Sequence, residues 1–165
     1  MSTAPSTTIY FEDIRKGDVF GSPDITITVD RDELLDHNRR YDYWPIHVDV
    51  AAAKAAGFND IIASSSYILS LMLRLFHLNR AKDSRSDFAL IGGVEQRLKI
   101  PRPVQGGDVL HFVQTVIETR PSSKPGRGTI IVRDELTNQR GEVVLAFEAV
   151  NVIATRPQGV AARTE

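Results

Sequence analysis

Between Ser65 and Arg80 the chain places Tyr67, Ile68, Leu69, Leu71, Met72, Leu73, Leu75, Phe76 and Leu78. At helical spacing these cover most of the circumference, and a helix apolar nearly all round is buried nearly all round. With 165 residues the chain favours one domain. The rest of that same domain must therefore wrap this helix.

The second half supplies a wrapper. Phe88 to Ile91, Val94 to Ile100, Val109 to Arg120, Thr129 to Asn138 and Glu142 to Ala154 read as strands. Gly92-Gly93, Pro101 with Pro103, Gly106-Gly107, the stretch from Pro121 to Gly128, and Arg140-Gly141 read as breaks between them. Asn138-Gln139-Arg140-Gly141 suits a tight hairpin. Short connections predict an antiparallel sheet. A buried helix with a long curling sheet is an α+β domain.

The first half is mixed. Ile25, Ile27 and Val29 alternate with threonines, as in a half-buried strand. Asp30 suits an N-cap, with Glu33 as the partner of a capping box, and a helix is predicted over Arg31 to Arg40. Trp44-Pro45 reads as a loop. Val50 to Ala56 reads as a helix stopped by Gly57, and Asp49 as its cap. Residues 1–8 are rich in Ser, Thr and Pro and are expected to be mobile, as is the tail 157–165, leaving a folded unit over 9–156.

Composition excludes several classes. The formal charge of −1 gives no field to attract nucleic acid or an anionic membrane. With no cysteine, disulfides, thiolate metal sites and thiol nucleophiles are ruled out. No apolar run reaches the roughly 18 residues of a membrane helix, and the N-terminus does not read as a secretory signal. A soluble, cytoplasmic protein is expected. There is no dinucleotide fingerprint, phosphate loop or nucleophile elbow. His37, His77 and His111 have no metal-ligand spacing, so no metal or other cofactor is expected.

The segment Asp42-Tyr43-Trp44-Pro45-Ile46-His47 carries the chemistry. It sets a carboxylate and an imidazole five residues apart across a proline, whose ring fixes φ. Two proton-moving groups can then stand at a reproducible separation. Ser64-Ser65-Ser66 begins the apolar helix, where unpaired N–H groups and the helix dipole favour negative charge. The plainer readings are that Asp42 caps a turn, His47 packs near the core, the serines only cap, and Trp44 fills a gap in the core.

The order Asp42-x-x-Pro45-x-His47-x-Asp49, Gly57-Phe58, Ile61-Ile62-Ala63-Ser64, Leu71-Met72-Leu73-Arg74-Leu75 resembles the MaoC-like hydratase/dehydratase family of hot-dog folds. Pro103-Val104-x-x-Gly107-Asp108, Arg127-Gly128, and Asn138 to Val144 leading into Phe147-Glu148 extend the likeness over about Phe11 to Arg156. The resemblance implies a single hot-dog domain, a sheet wrapped round a central helix, working as a homodimer or higher homo-oligomer. It also implies acyl thioester substrates of coenzyme A, or less often of acyl carrier protein, and reversible addition of water to a 2-enoyl thioester. Carried over residue by residue, it makes Asp42 and His47 the catalytic pair.

In the same resemblance the Ser65 N–H is the thioester oxygen's donor, with Ser64 beside it, and Trp44 lies against the acyl group. Trp44 stands where many members have Asn or Gln, and Ser64-Ser65 where His-Gly or Ser-Gly is common. Both narrow the expected site. Arg97, Lys99, Arg102, Lys124 and Arg127 are candidates for the coenzyme A phosphates, since Arg in particular suits phosphate. The alternatives are a hot-dog thioesterase, and a non-catalytic acyl-CoA binder in which the bulk of Trp44 fills the place of the water.

Overall fold

The computed structural model describes residues 8–82 and 87–160. Most of the two ends expected to be mobile, 1–7 and 161–165, lie outside the described residues. A 3-10 turn, Phe11–Asp13, leads into strands β1 (Val19–Phe20) and β2 (Thr26–Thr28). Three helices follow: α1 (Arg31–Tyr41), α2 (Pro45–Val48) and α3 (Val50–Ala55). Helix α4 (Ser65–Lys82) precedes strands β3 (Leu90–Lys99), β4 (Val109–Pro121), β5 (Arg127–Thr137) and β6 (Val143–Ala154).

Local sequence sets the short helices. The Asp30 carboxylate accepts from the N–H groups of Asp32 and Glu33, which starts α1. Asp49 does the same for α3, accepting from Ala52 N at 2.9 Å. Gly57, at φ +93°, takes the left-handed position that ends α3. The predicted loop at Trp44-Pro45 holds for Trp44 but not for Pro45. Pro45 is the first residue of α2, where its missing N–H is no loss and its fixed φ already suits a helix.

The strands form one antiparallel sheet in the order β1-β4-β5-β6-β3, with β2 also on β4. Helix α4 carries the chain to the far edge, so β3 pairs with β6 rather than with β4, which follows it. The expected break at Gly92-Gly93 is absent. Register shifts beside the two glycines bend one continuous strand, as bulges do, and a further shift at Val116/Glu118 curls β4. The hairpin at Asn138–Gly141 forms, with Asn138 Oδ1 accepting from the N–H groups of Arg140 and Glu142.

The core lies between α4 and the concave face of the sheet. Tyr67, Ile68, Leu71, Met72 and Leu75 of α4 pack on Leu110, Phe112, Ile130, Val132 and Leu145. Asn79, also buried, accepts from Ser22 N at 2.7 Å and donates to Leu75 O at 2.8 Å, tying the β1–β2 link to the helix. The expectation that α4 is buried all round fails. Ser70, Leu73, Arg74, His77 and Leu78 are exposed, because the sheet has one concave face and covers one side of the helix.

Candidate active site

Helix α1 ends at Asp42, whose N–H donates to Asn38 O at 2.8 Å. The turn of α2 begins three residues on, at Pro45, and lifts His47 back toward that end. The Asp42 Oδ2 and His47 Nε2 atoms are 3.9 Å apart. That is too long for a direct hydrogen bond and suits one small molecule held by both. The His47 side chain is 13% exposed and that of Asp42 31%. The Asp42 carboxylate takes no hydrogen bond from a backbone N–H among the described residues, so it does not cap a turn.

The other ring nitrogen fixes the tautomer. His47 Nδ1 lies 2.8 Å from Ile62 O. A carbonyl only accepts, so Nδ1 carries the hydrogen, and in the neutral tautomer the Nε2 lone pair faces Asp42. Ile62 belongs to the segment between α3 and α4, anchored by Ile62 N to Ile46 O at 3.2 Å and Ala63 N to Val104 O at 2.8 Å. Arg31 holds the start of α1 to that segment through Asp60, whose carboxyl it keeps below the usual range.

Beside the ring is a cleft of about 260 Å³, bounded by His47, Phe58, Ile62, Ala63 and Ser65 on one side and Ile100 to Pro103 on the other. Its walls are largely apolar, and the start of α4 opens on to it. Ser65 is the first residue of that helix, and its N–H has no intrahelical partner by position. Of the five cations considered for phosphate, Arg102 alone lines the cleft; it stands 3.6 Å from Glu142. Among the described residues no group of three or more His, Asp, Glu or Cys could hold a metal ion, and no helix is long and apolar enough to cross a membrane.

The structure thus sets Asp42 3.9 Å from His47 and puts His47 and Ser65 on one cleft, which Asp42 does not line, and it sets two other expected residues apart. Ser64 is fully buried and does not line the cleft. Its N–H donates to Asn38 Oδ1 at 3.2 Å, and its Oγ lies 3.1 Å from Ser66 Oγ and accepts from Tyr67 N at 3.4 Å. Capping is its visible role. Trp44 is 71% exposed and Tyr43 75% exposed. The proline-led turn throws both outward, so Trp44 neither fills a core gap nor occupies the space between Asp42 and His47. Behind the start of α4, His37 sits against Tyr67 with its Nε2 3.1 Å from Ser66 Oγ, and burial lowers its pKa.

Sequence reasoning missed Asn38. Its side chain is wholly buried and satisfied by three bonds to this site. A signal was present: Asn38 lies four residues after Leu34, on the stripe that α1 turns inward.

A curled antiparallel sheet on one long helix defines a hot-dog fold. The family profile of the FAS1-like dehydratase domain region matches residues 15–147, and the chain belongs to that family. A MaoC-like dehydratase from Rhodospirillum rubrum superposes with a TM-score of 0.77 at 29% identity, over 90% of this chain and 99% of that one. A double hot-dog protein of Mycobacterium tuberculosis shares the fold, with a TM-score of 0.69 at 19% identity over 94% of this chain and 47% of that one. A UPF0336 protein of Saccharopolyspora erythraea is 31% identical over 120 residues, 70% of this chain and 75% of the relative.

Proposed function

We propose that the chain catalyses reversible hydration of 2-enoyl-CoA, equally the dehydration of 3-hydroxyacyl-CoA, with Asp42 and His47 sharing the water. One observation carries the reading. The Nδ1 bond to Ile62 leaves Nε2 an acceptor, aimed at a carboxylate 3.9 Å away, beside an apolar cleft. A water donating to both groups would have its oxygen lone pair free for carbon 3 of the enoyl group. As the C–O bond forms, Asp42 takes the proton from water and His47 assists its delivery to carbon 2. The thioester stays intact. Its oxygen gains charge in the transition state and accepts from the Ser65 N–H at the positive end of α4.

The family and the R. rubrum dehydratase support this class of reaction. Incubation with crotonyl-CoA and with longer or branched enoyl-CoA should give products heavier by one water, with no free thiol. Thiol release without hydration would make the protein a thioesterase instead, and tight binding of the whole panel without turnover would leave a binder only.

The working unit is a homodimer joined through β3. This strand is an open edge of the sheet, and its apolar side chains are left uncovered there: Val94 is 69% exposed and Leu98 37%. Antiparallel pairing of two copies centred on Gln96 sets each Glu95 opposite an Arg97 of the other copy, and each Val94 opposite a Leu98. At about 260 Å³ the cleft is also smaller than the roughly 300–1,000 Å³ of most small-molecule sites, as expected if a second copy adds a wall. Gln96→Pro puts a residue without an N–H at the centre of this edge strand and should shift the protein from dimer to monomer in sedimentation; a folded variant that stays dimeric would place the interface elsewhere.

A further inference from the structure

We infer that Asn38 is the positioning residue of the Asp42–His47 pair, acting through the carbonyl that orients the imidazole. The inference rests on the hydratase reading for its kinetic consequence, though not for its geometry. Asn38 is a polar side chain with no exposure, inside a helix, four residues before Asp42. An amide so placed must find its partners within the protein, and it finds them on two other pieces of chain. Its Nδ2 donates to His47 O at 3.0 Å and to Ile62 O at 3.1 Å, and its Oδ1 accepts from Ser64 N at 3.2 Å. Its own backbone oxygen accepts from Asp42 N at 2.8 Å.

Every part of the site therefore meets at one residue. The backbone bond sets where α1 releases Asp42. One amide hydrogen fixes the backbone of His47. The other goes to Ile62 O, the same atom that accepts from His47 Nδ1 at 2.8 Å. That carbonyl is held between a side-chain donor and a ring donor, so its direction, and with it the aim of Nε2, follows from Asn38. The Oδ1 bond holds the peptide just before Ser65. No other side chain among the described residues bonds to both the His47 and the Ile62 backbone. Aspartate is nearly the same shape, but ionised it turns a carboxylate on two carbonyl oxygens, and protonated it keeps one donor where two are needed. Serine keeps one donor on a shorter arm.

Three measurements test this. In the wild-type protein, proton exchange at the Asn38 side-chain amide should be slow, and nitrogen-15 NMR of the His47 ring should show hydrogen fixed on Nδ1. In Asn38→Ser, and in Asn38→Asp where it folds, the ring should lose that fixed tautomer. Turnover should fall roughly 10- to 100-fold with KM changed much less, the effect of a small misplacement of reacting groups. Fast exchange of the wild-type amide overturns the inference without any variant. So does a folded Asn38→Ser protein with the wild-type tautomer and turnover. If the wild-type protein hydrates no enoyl thioester, the hydratase reading fails alone, and the exchange and tautomer measurements still decide the role of Asn38.

Discussion

Replacing Asp42 by asparagine should lower enoyl-CoA hydration by roughly 10²- to 10⁴-fold, the usual contribution of a positioned acid or base, with the fold intact. The structure makes this a clean test. The Asp42 carboxylate takes no backbone hydrogen bond among the described residues and is about a third exposed. Asparagine has the same shape and removes only the charge and the ability to take a proton. A His47 variant is less informative, since the ring also occupies Ile62 O and closes one wall of the cleft. Circular dichroism and the urea midpoint should match wild type, so that lost turnover reads as lost chemistry. Full activity in Asp42→Asn would remove Asp42 from the mechanism and leave His47 to work alone.

The fold and the pair were legible for different reasons. The antiparallel sheet followed from the short connections between successive strands, and along β4 to β6 inward positions such as Leu110, Phe112, Val132 and Leu145 lie on the buried face. The pair followed from spacing and family likeness, and the residues between were misread. A Trp-Pro step reads equally as a loop or as the first turn of a helix. Which side of α2 faces outward depends on where α1 delivers it. The exposure of Trp44 was therefore not contained in its local sequence.

The opposite error was made on α4, where composition suggested full burial. How much of a helix is covered depends on how far the sheet curls, and bulges decide that. Asn38 was missed because one asparagine in a polar stretch has no period of its own; only its place after Leu34 marks it.

Asp134 was missed in the same way, and it leads to the second large effect. It occupies an inward position of β5, between Val132 and Leu136, in a strand whose every second residue is buried. Among the described residues its side chain bonds to Gln114 alone, whose Nε2 donates to Asp134 Oδ1 at 2.8 Å. Burial raises its pKa from 3.8 to about 7, against the weaker opposing pull of that hydrogen bond. A neutral acid also carries the O–H that the buried Gln114 Oε1, unpaired among the described residues, lacks.

The sign follows from proton uptake. Between pH 4 and 7 the folded state holds a proton here that the unfolded chain has released, so stability falls as pH rises through that window. The full loss, above pH 7, is on the order of 4 kcal/mol. Asp134→Asn keeps the acceptor for Gln114 and supplies a donor with no charge to bury. It should match wild type near pH 4 and become the more stable protein by several kcal/mol at pH 8, read from urea midpoints at the two pH values. Parallel midpoints for the two proteins across that range would mean that Asp134 ionises in the folded core without penalty, and that the sheet tolerates a charge beneath α4.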